Sequence, residues 1–270
     1  MQLIVNADDF GRSTSINQAV IRAHTEGVLT TASLMVNEPR CHEAVSLAAS
    51  HPTLGVGLHL SLVLGRSGLS GDRVPALVNA RNEFRSGPVA SGMRFFFLPS
   101  LRGQLREELH EQFRRFGETG LLLDHLNGHL HLHLHPVVLD LIMQDAKALG
   151  IRRVRLTADP LRLNLAISRG HYLYRFSHAL IYRVLSARAR RAFARQGIRH
   201  TGYVFGLLQN ARVSERYIMA LLPRLPDGDS ELYSHPSLDE FREEFEALIS
   251  PSVLAEVRRL GIRLIRYQDL

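Results

Sequence analysis

The stretch HLNGHLHLHLHP, residues 125–136, places His125, His129, His131, His133 and His135 within eleven positions, five of the fourteen histidines in the chain. A single metal ion has no use for five imidazoles, so the segment must divide into histidines that do chemistry and histidines that do not. Further candidates stand elsewhere: Asp8 and Asp9 in NADDFG, His59 in GLHL and His235 in YSHP. Two neutral imidazoles and one carboxylate make a facial set that holds a divalent ion and leaves positions open for water and substrate. The chemistry available to such a set is metal-assisted hydrolysis, with a carbonyl polarised by the ion and a nearby carboxylate taking a proton from water. Neighbouring Asp8 and Asp9 point to opposite sides of a regular strand, so both serve one site only if the strand is ending there. Phe10 and Gly11 fit such an ending, and His235 stands where an acid for the leaving group would be useful.

The elements that must position these residues are short β-rich runs ending in polar residues, at 3–9, 30–36, 56–62, 123–129, 152–156, 201–205, 230–235 and 263–267. Helical patterns lie between them. Thr14 or Ser15 can cap a helix through His24 with Gly27 beyond it, and Pro136 opens another that Gly150 closes. Others are expected at 102–118, 172–196, 214–222 and 238–260. Strands alternating with helices imply parallel pairing and an α/β fold. About eight units in 270 residues suggest a distorted (β/α) barrel in a single domain, over residues 1–270. The segment 65–101, rich in Gly, Ser and Pro and containing RFFFLPS, breaks the rhythm and reads as an inserted loop region. In a barrel, strand C-termini converge on one mouth. Asp8 and Asp9, His59, His129 and His131, and His235 all stand at such ends. Alone, a DD pair is often a turn and a His in GLHL is often a core residue; their shared position is the signal.

Composition bounds the rest. A 45% hydrophobic chain of 270 residues can bury a large core. The single cysteine, Cys41, excludes an internal disulfide and a multi-thiolate zinc site, so any metal rests on His, Asp and Glu. No apolar run reaches the roughly 20 residues that span a bilayer, and MQLIVNADDFG lacks a basic n-region, which leads to an expectation of a soluble, cytoplasmic protein. The net charge of +7 comes almost wholly from arginine, since Lys147 is the only lysine. Within RVLSARARRAFARQGIR, residues 183–199, Val184, Leu185, Ala189, Ala192 and Phe193 form an apolar aspect beside five arginines, which suits an anionic membrane surface or an ordinary surface helix.

NADDFG, GLHL, HLNGHLHLHLHP and SELYSHP, in this order, resemble the YdjC-like carbohydrate deacetylases, relatives of the NodB polysaccharide deacetylases. The resemblance runs from about residue 2 to the C-terminus. It implies a distorted (β/α) barrel of the polysaccharide-deacetylase type that removes the N-acetyl group of an amino sugar. It also implies Asp8 as catalytic base, Asp9, His59 and His129 as metal ligands, and His235 as general acid. Many members carry Asp-Ser before the ligand histidine, whereas this chain has Asn127 and Gly128. Asn127 is neutral and supplies no charge to a neighbouring histidine; it and His131 are expected to orient ligand or substrate.

That variation, RFFFLPS and the HLHLHP extension resemble the branch associated with hopanoid biosynthesis, which implies an N-acetylglucosaminyl hopanoid glycolipid as substrate. A lipid substrate would give Phe95, Phe96, Phe97 and the 183–199 helix a reason to lie near the inner face of a membrane. Zinc suits a His, His, Asp set; magnesium, manganese and cobalt stay open. Three other readings stay open as well: a deacetylase of soluble N-acetylated oligosaccharides, a metal-dependent phosphoesterase or cyclic amidohydrolase barrel, and a non-catalytic metal-buffering protein that binds nucleic acid. The last two are disfavoured, and no nucleic acid is expected; the oligomeric state, homo-oligomer included, is left open.

Overall fold

β1 (Gln2–Phe10) lies at the centre of the sheet, and its residues from Leu3 to Phe10 are all buried. In the computed structural model, which describes residues 1–85, 87–209 and 211–270, the chain alternates strands with helices as the sequence pattern requires. Ser86, within the 65–101 segment, and Asn210 lie outside the described residues. After β1 come α1 (Thr14–Glu26), β2 (Thr31–Leu34), α2 (Cys41–Ala49) and β3 (Gly55–Leu60). The 65–101 segment contributes two antiparallel bridges, Arg66 with Glu83 and Val78 with Phe84, and α3 (Pro88–Phe97). α4 (Arg102–Glu118), β4 (Leu126–Gly128), α5 (Pro136–Asp145), α6 (Leu161–Ile167) and α7 (Tyr172–Gln196) follow. The chain finishes through β5 (Tyr203–Phe205), α8 (Glu215–Leu221), β6 (Asp229–Ser234), α9 (Arg242–Leu248), α10 (Pro251–Arg259) and β7 (Arg263–Leu264).

Among the described residues seven strands form one parallel sheet in the order β4-β3-β2-β1-β6-β5, with β7 pairing the first residues of β1. The strand expected at 152–156 is present only as an extended segment with single bridges, Leu126 to Val154 and Arg153 to Arg199. It bonds to both sides, Leu126 N–H to the Arg153 carbonyl and Val154 N–H to the Arg199 carbonyl, but β4 is too short to offer it a ladder. The curled sheet is therefore a distorted barrel, with the extended segment 152–158 lying between β4 and β5 and bonded to each by isolated contacts.

Alternation sorts the side chains. Leu3, Val5 and Ala7 of β1 join the main core under the helices, while Ile4, Asn6 and Asp8 face the barrel interior. The interior is polar and closed from below by the C-terminal segment, where Tyr267 is fully buried and stacks on His125 at 4.4 Å between ring centroids. β3 makes room for that arrangement with glycine. A Cβ at Gly57 would sit 2.5 Å from the His125 ring.

Helix ends follow local chemistry. Ser13, one residue before the expected cap, accepts from the Ile16 N–H to start α1, and Ser250 with Pro251 divides the expected 238–260 helix into α9 and α10. The apolar aspect expected along 183–199 is split. Ala189 and Phe193 are buried, whereas Val184 is exposed, because α7 turns Tyr182, Ser186, Ala189 and Phe193 inward. Replacing Gly57 by Ala is expected to destabilise the protein by about 1–3 kcal/mol through overpacking against His125. Gly117→Ala in α4, where a new Cβ meets nothing within 4 Å, should instead be neutral or stabilising by up to about 1 kcal/mol. Urea unfolding of the two variants measures both.

Candidate metal and catalytic site

Both aspartates reach the same site, though not because β1 ends. The strand continues to Phe10, and its pairing with β2 shifts register between Ala7 and Phe10. Asp9 takes φ +65°, a left-handed conformation that Asp tolerates better than most residues. This bulge cancels the alternation that would otherwise aim the two carboxylates apart.

Asp9, His59 and His129 then form a buried trio whose candidate ligand atoms all lie within 4.8 Å of one another. The Asp9 Oδ1 is 3.1 Å from His129 Nδ1 and 3.4 Å from His59 Nε2, while its Oδ2 accepts from Arg12 at 2.9 Å. Burial pushes the Asp9 carboxyl up, but the neighbouring rings of His129 and His59 outweigh it and hold the group well below the usual carboxylate range. His59 Nδ1 lies 2.7 Å from Asn127 Oδ1. With its amide oxygen aimed at that nitrogen, Asn127 fixes the tautomer in which Nδ1 carries the proton and Nε2 keeps its lone pair for a ligand. A neutral amide thus orients His59 without adding charge. The same Asn127 donates from Nδ2 to Asp8 Oδ1 at 3.0 Å and to Ser33 Oγ at 2.8 Å.

Asp8 is held by a different partner. Arg155, fully buried, donates to Asp8 Oδ2 at 2.7 Å and Oδ1 at 2.9 Å, and to Glu231 Oε1 at 2.7 and 2.9 Å. Asn6 also donates to Asp8 Oδ1, at 2.8 Å. Burial raises the Asp8 carboxyl, but Arg155 overrides it and drives the group far below the usual carboxylate range, so Asp8 stays ionised. Oδ1 has three donors and Oδ2 one, which leaves Oδ2 as the oxygen able to take a proton or a water. Glu231 in turn accepts from the Tyr267 hydroxyl.

The remaining histidines separate by their surroundings. β4 ends at Gly128, and residues 129–134 form a 3-10 turn with Leu130 and His131 at φ +50° and +59°, so no continuous strand carries the series. His131 lies edge-on to Tyr182 and Tyr233, with ring centroids 5.5 and 5.6 Å away. Burial first, and the Arg155 charge second, hold it well below the usual imidazole range and therefore neutral. His133, in the turn between β4 and α5, is completely buried and donates from Nε2 to the Arg155 carbonyl at 3.0 Å. The turn folds back over β4, and this is what takes His133 out of water; burial pushes it down to about 3. His125 is enclosed between Asp124 and Ser33, 2.9 Å from each. His135 is half-buried and packs against Phe95.

Asp8, Asp9, His59, His129, His131 and His235 all line one cavity of about 530 Å³, while Asn127 supports it from beneath. His235 packs against Tyr233 and Phe241, and its Nδ1 is buried without a partner, 3.9 Å from Glu244. Sequence reasoning missed Arg155, Glu231, Asn6 and Tyr267. A signal existed: Asn6 and Asp8, His125, Asn127 and His129, and Glu231, Tyr233 and His235 are period-two series that run down each strand from the site residue into the interior.

Arg155→Ala would leave two carboxylates buried without a cation, and unfolding by urea should show a loss of about 3–5 kcal/mol. For His133 the sign follows from its depressed value: between pH 6.5 and about 3 the unfolded chain binds a proton that the folded chain refuses, so stability falls as pH falls below 6.5. One such group accounts for a loss of about 2 kcal/mol between pH 6.5 and 5. His133→Asn should flatten the dependence of unfolding free energy on pH over this window.

The chain is similar to known proteins along nearly its whole length. The family described as YdjC-like protein matches residues 2–259. A carbohydrate deacetylase of Geobacillus stearothermophilus is 32% identical over 280 aligned positions, covering 98% of this chain and 96% of that protein. A carbohydrate deacetylase of Brevibacillus brevis is 43% identical over 147 residues, 54% of this chain, and the alignment spans 56% of that relative's length. Among solved structures, a protein of Enterococcus faecalis V583 described as a candidate cellobiose-phosphate cleavage protein superposes with a TM-score of 0.75 at 24% identity, over 99% of this chain and 98% of that one. The lactam utilization protein of Thermus thermophilus gives 0.54 at 16% identity, over 98% and 99%. The two structures speak for the fold alone. With a family match along nearly all of its length and a relative aligned end to end, this chain belongs to the YdjC-like family.

Proposed function

We propose that this chain is a metal-dependent deacetylase that hydrolyses the N-acetyl group of an amino sugar, and that its substrate is an N-acetylglucosaminyl hopanoid glycolipid. The observation that carries the reading is the buried Asp9, His59 and His129 trio at the floor of an open cavity, beside an Asp8 that is kept ionised. Carbohydrate deacetylases are also the relatives that align with the chain. The glycolipid is favoured by the apolar and aromatic upper walls, where Leu130, Leu132, Ile181 and Leu185 stand with Tyr174 and Tyr182.

The donor set fits one divalent ion. Asp9 is ionised, His59 Nε2 keeps its lone pair through Asn127, and His129 Nδ1 lies 3.1 Å from Asp9 Oδ1 beside the His59 ring. Zinc suits these ligand types best. Such an ion supplies Lewis-acid polarisation of an amide carbonyl. The chain's own residues handle the protons. Asp8 accepts one at Oδ2 from the attacking water, with Arg155 and Asn6 holding the carboxylate in line. His235 delivers one to the departing nitrogen, so that the amide C–N bond is exchanged for acetate and a free amine. His131, neutral and wedged between two tyrosines, orients the sugar. Arg12 ties up the second oxygen of Asp9, so that Oδ1 is the oxygen that would be offered to an ion.

Acetate release from N-acetylglucosaminyl lipid and from short soluble N-acetylated sugars tests the reading directly. Asp8→Asn should lose at least about 1,000-fold in turnover while retaining one bound ion by elemental analysis, and His129→Ala should lose both ion and turnover. If Asp8→Asn released acetate as fast as the parent, the assignment of the base would be wrong. Stripping the protein with a chelator and adding back zinc, manganese, cobalt or magnesium identifies the ion; zinc is expected to restore turnover at the lowest concentration. Mass spectrometry of membrane lipids from cells with and without the gene should show a hopanoid differing by one acetyl group.

A further inference from the structure

From the distribution of exposed apolar side chains we infer that α3 and the first half of α7 form one docking face for an anionic lipid bilayer, with the catalytic cavity opening between them. Among the described residues sixteen large hydrophobic side chains are exposed, and ten of them stand on these two helices. On α3, Val89, Met93, Phe96 and Phe97 share one face at helical spacing, and Val89 and Phe97 are 81% and 63% exposed. On α7, Leu173, Phe176, Leu180 and Val184 form a stripe opposite the buried Arg175, Tyr182, Ser186, Ala189 and Phe193. No helix among the described residues is long and apolar enough to cross a membrane, so this surface would lie on a bilayer and not span it.

The two helices belong to one side of the molecule. Both pack on α5, and both supply walls of the same cavity, Pro88 from α3 and Tyr174, His178 and Ile181 from α7. Leu130, 47% exposed, stands at the mouth between them. Charge selects the occupant. Neither helix contains an acidic residue, and the solvent face of α7 passes from the apolar stripe to Arg191 and Arg195, with Arg188 paired to Asp140 of α5. A second copy docked through this face would bring like charges together. Nucleic acid would satisfy the arginines and leave the apolar side chains in water. An anionic bilayer satisfies both, with the apolar side chains entering the headgroup boundary and the arginines meeting lipid phosphates. The surface rests on the glycolipid reading for what it delivers to the cavity; its lipid contact is separately measurable.

Flotation with vesicles of phosphatidylcholine and phosphatidylglycerol (about 3:1) tests it. The parent should float with these vesicles, should bind pure phosphatidylcholine far less, and should lose part of its binding in high salt. Phe96→Ser with Phe97→Ser, and separately Leu173→Ser with Leu180→Ser, should each lower partitioning at least tenfold. Both should keep the parent's melting temperature and its acetate release from a short soluble substrate, because these side chains line neither the trio nor the cavity. Failure of the parent to float, undiminished binding by both double variants, or a parent dimer that the variants dissociate would overturn the proposal. Absence of acetate release by the parent would count against the deacetylase and leave the flotation result standing.

Discussion

The pairing of Arg155 with Asp8 and Glu231 in the barrel interior is the interaction on which the rest of the site depends. Three fully desolvated charges are each expensive alone, and several kcal/mol per ion stand against them before pairing. The geometry meets that cost with four charge-assisted hydrogen bonds from one guanidinium, at 2.7–2.9 Å, and with Tyr267 closing the far side of Glu231. Glu231 neutralises part of the arginine, Asp8 the remainder, and the cluster keeps a net negative charge that the histidines above it feel. The Asp8 carboxylate, with three donors on one oxygen, has little freedom to rotate. A base poised this far below neutrality is intrinsically weak. What it offers is a fixed anion whose Oδ2 carries a single donor, and strength must come from the acidity of the water presented to it.

The second constraint is the left-handed turn at Asp9. Without it, β1 would place Asp8 in the interior and Asp9 under the helices, where no histidine could reach it. The strain of a left-handed non-glycine residue is on the order of 1–3 kcal/mol, and such residues persist where surrounding contacts over-determine them. Here Asp9 is fixed by His59, His129 and Arg12 at once, and the Arg12 N–H bonds to the Asp9 carbonyl. One distorted residue thus separates two adjacent carboxylates into two roles: one faces the imidazoles, the other the guanidinium.

Much of this was legible in the sequence, and the reason is periodicity. Alternating β and helical runs announced the parallel barrel, and polar residues at strand ends announced Asp8, Asp9, His59, His129 and His235. Three things were not legible. The 152–156 run has strand chemistry, but a ladder needs a neighbour of adequate length, and β4 spans three residues. The burial of His133 was hidden because nothing local says that residues 129–134 fold back over the strand with two successive left-handed residues, neither of them glycine. Arg155 is a pairing across 147 positions of sequence to Asp8, and no spacing rule reaches that far. Its trace was only indirect, in polar residues continuing at period two below each strand end, where a barrel core is ordinarily apolar.

The surroundings of the five-histidine segment explain why it contributes one residue to the trio. A metal ligand must offer a lone pair into an open space. His125 has both ring nitrogens occupied, by Asp124 and Ser33, and is sealed under Tyr267. His133 spends Nε2 on the Arg155 carbonyl, and His131 is turned by its backbone toward two tyrosines and away from Asp9. Burial strips water from His131 and His133, and the nearby guanidinium adds to the cost of protonating them, so both stay neutral. Neutral rings at that point are useful in a specific way: His131 packs like an aromatic residue against Tyr182 and Tyr233 and His133 bonds the Arg155 carbonyl, yet neither brings a positive charge beside a site that would already hold a divalent ion. A protonated pair there would oppose both metal binding and the approach of a second proton donor such as His235. The histidine-rich look of the segment therefore reflects small, flat, polar rings packed at one turn, with His129 alone placed where its ring meets both Asp9 and His59.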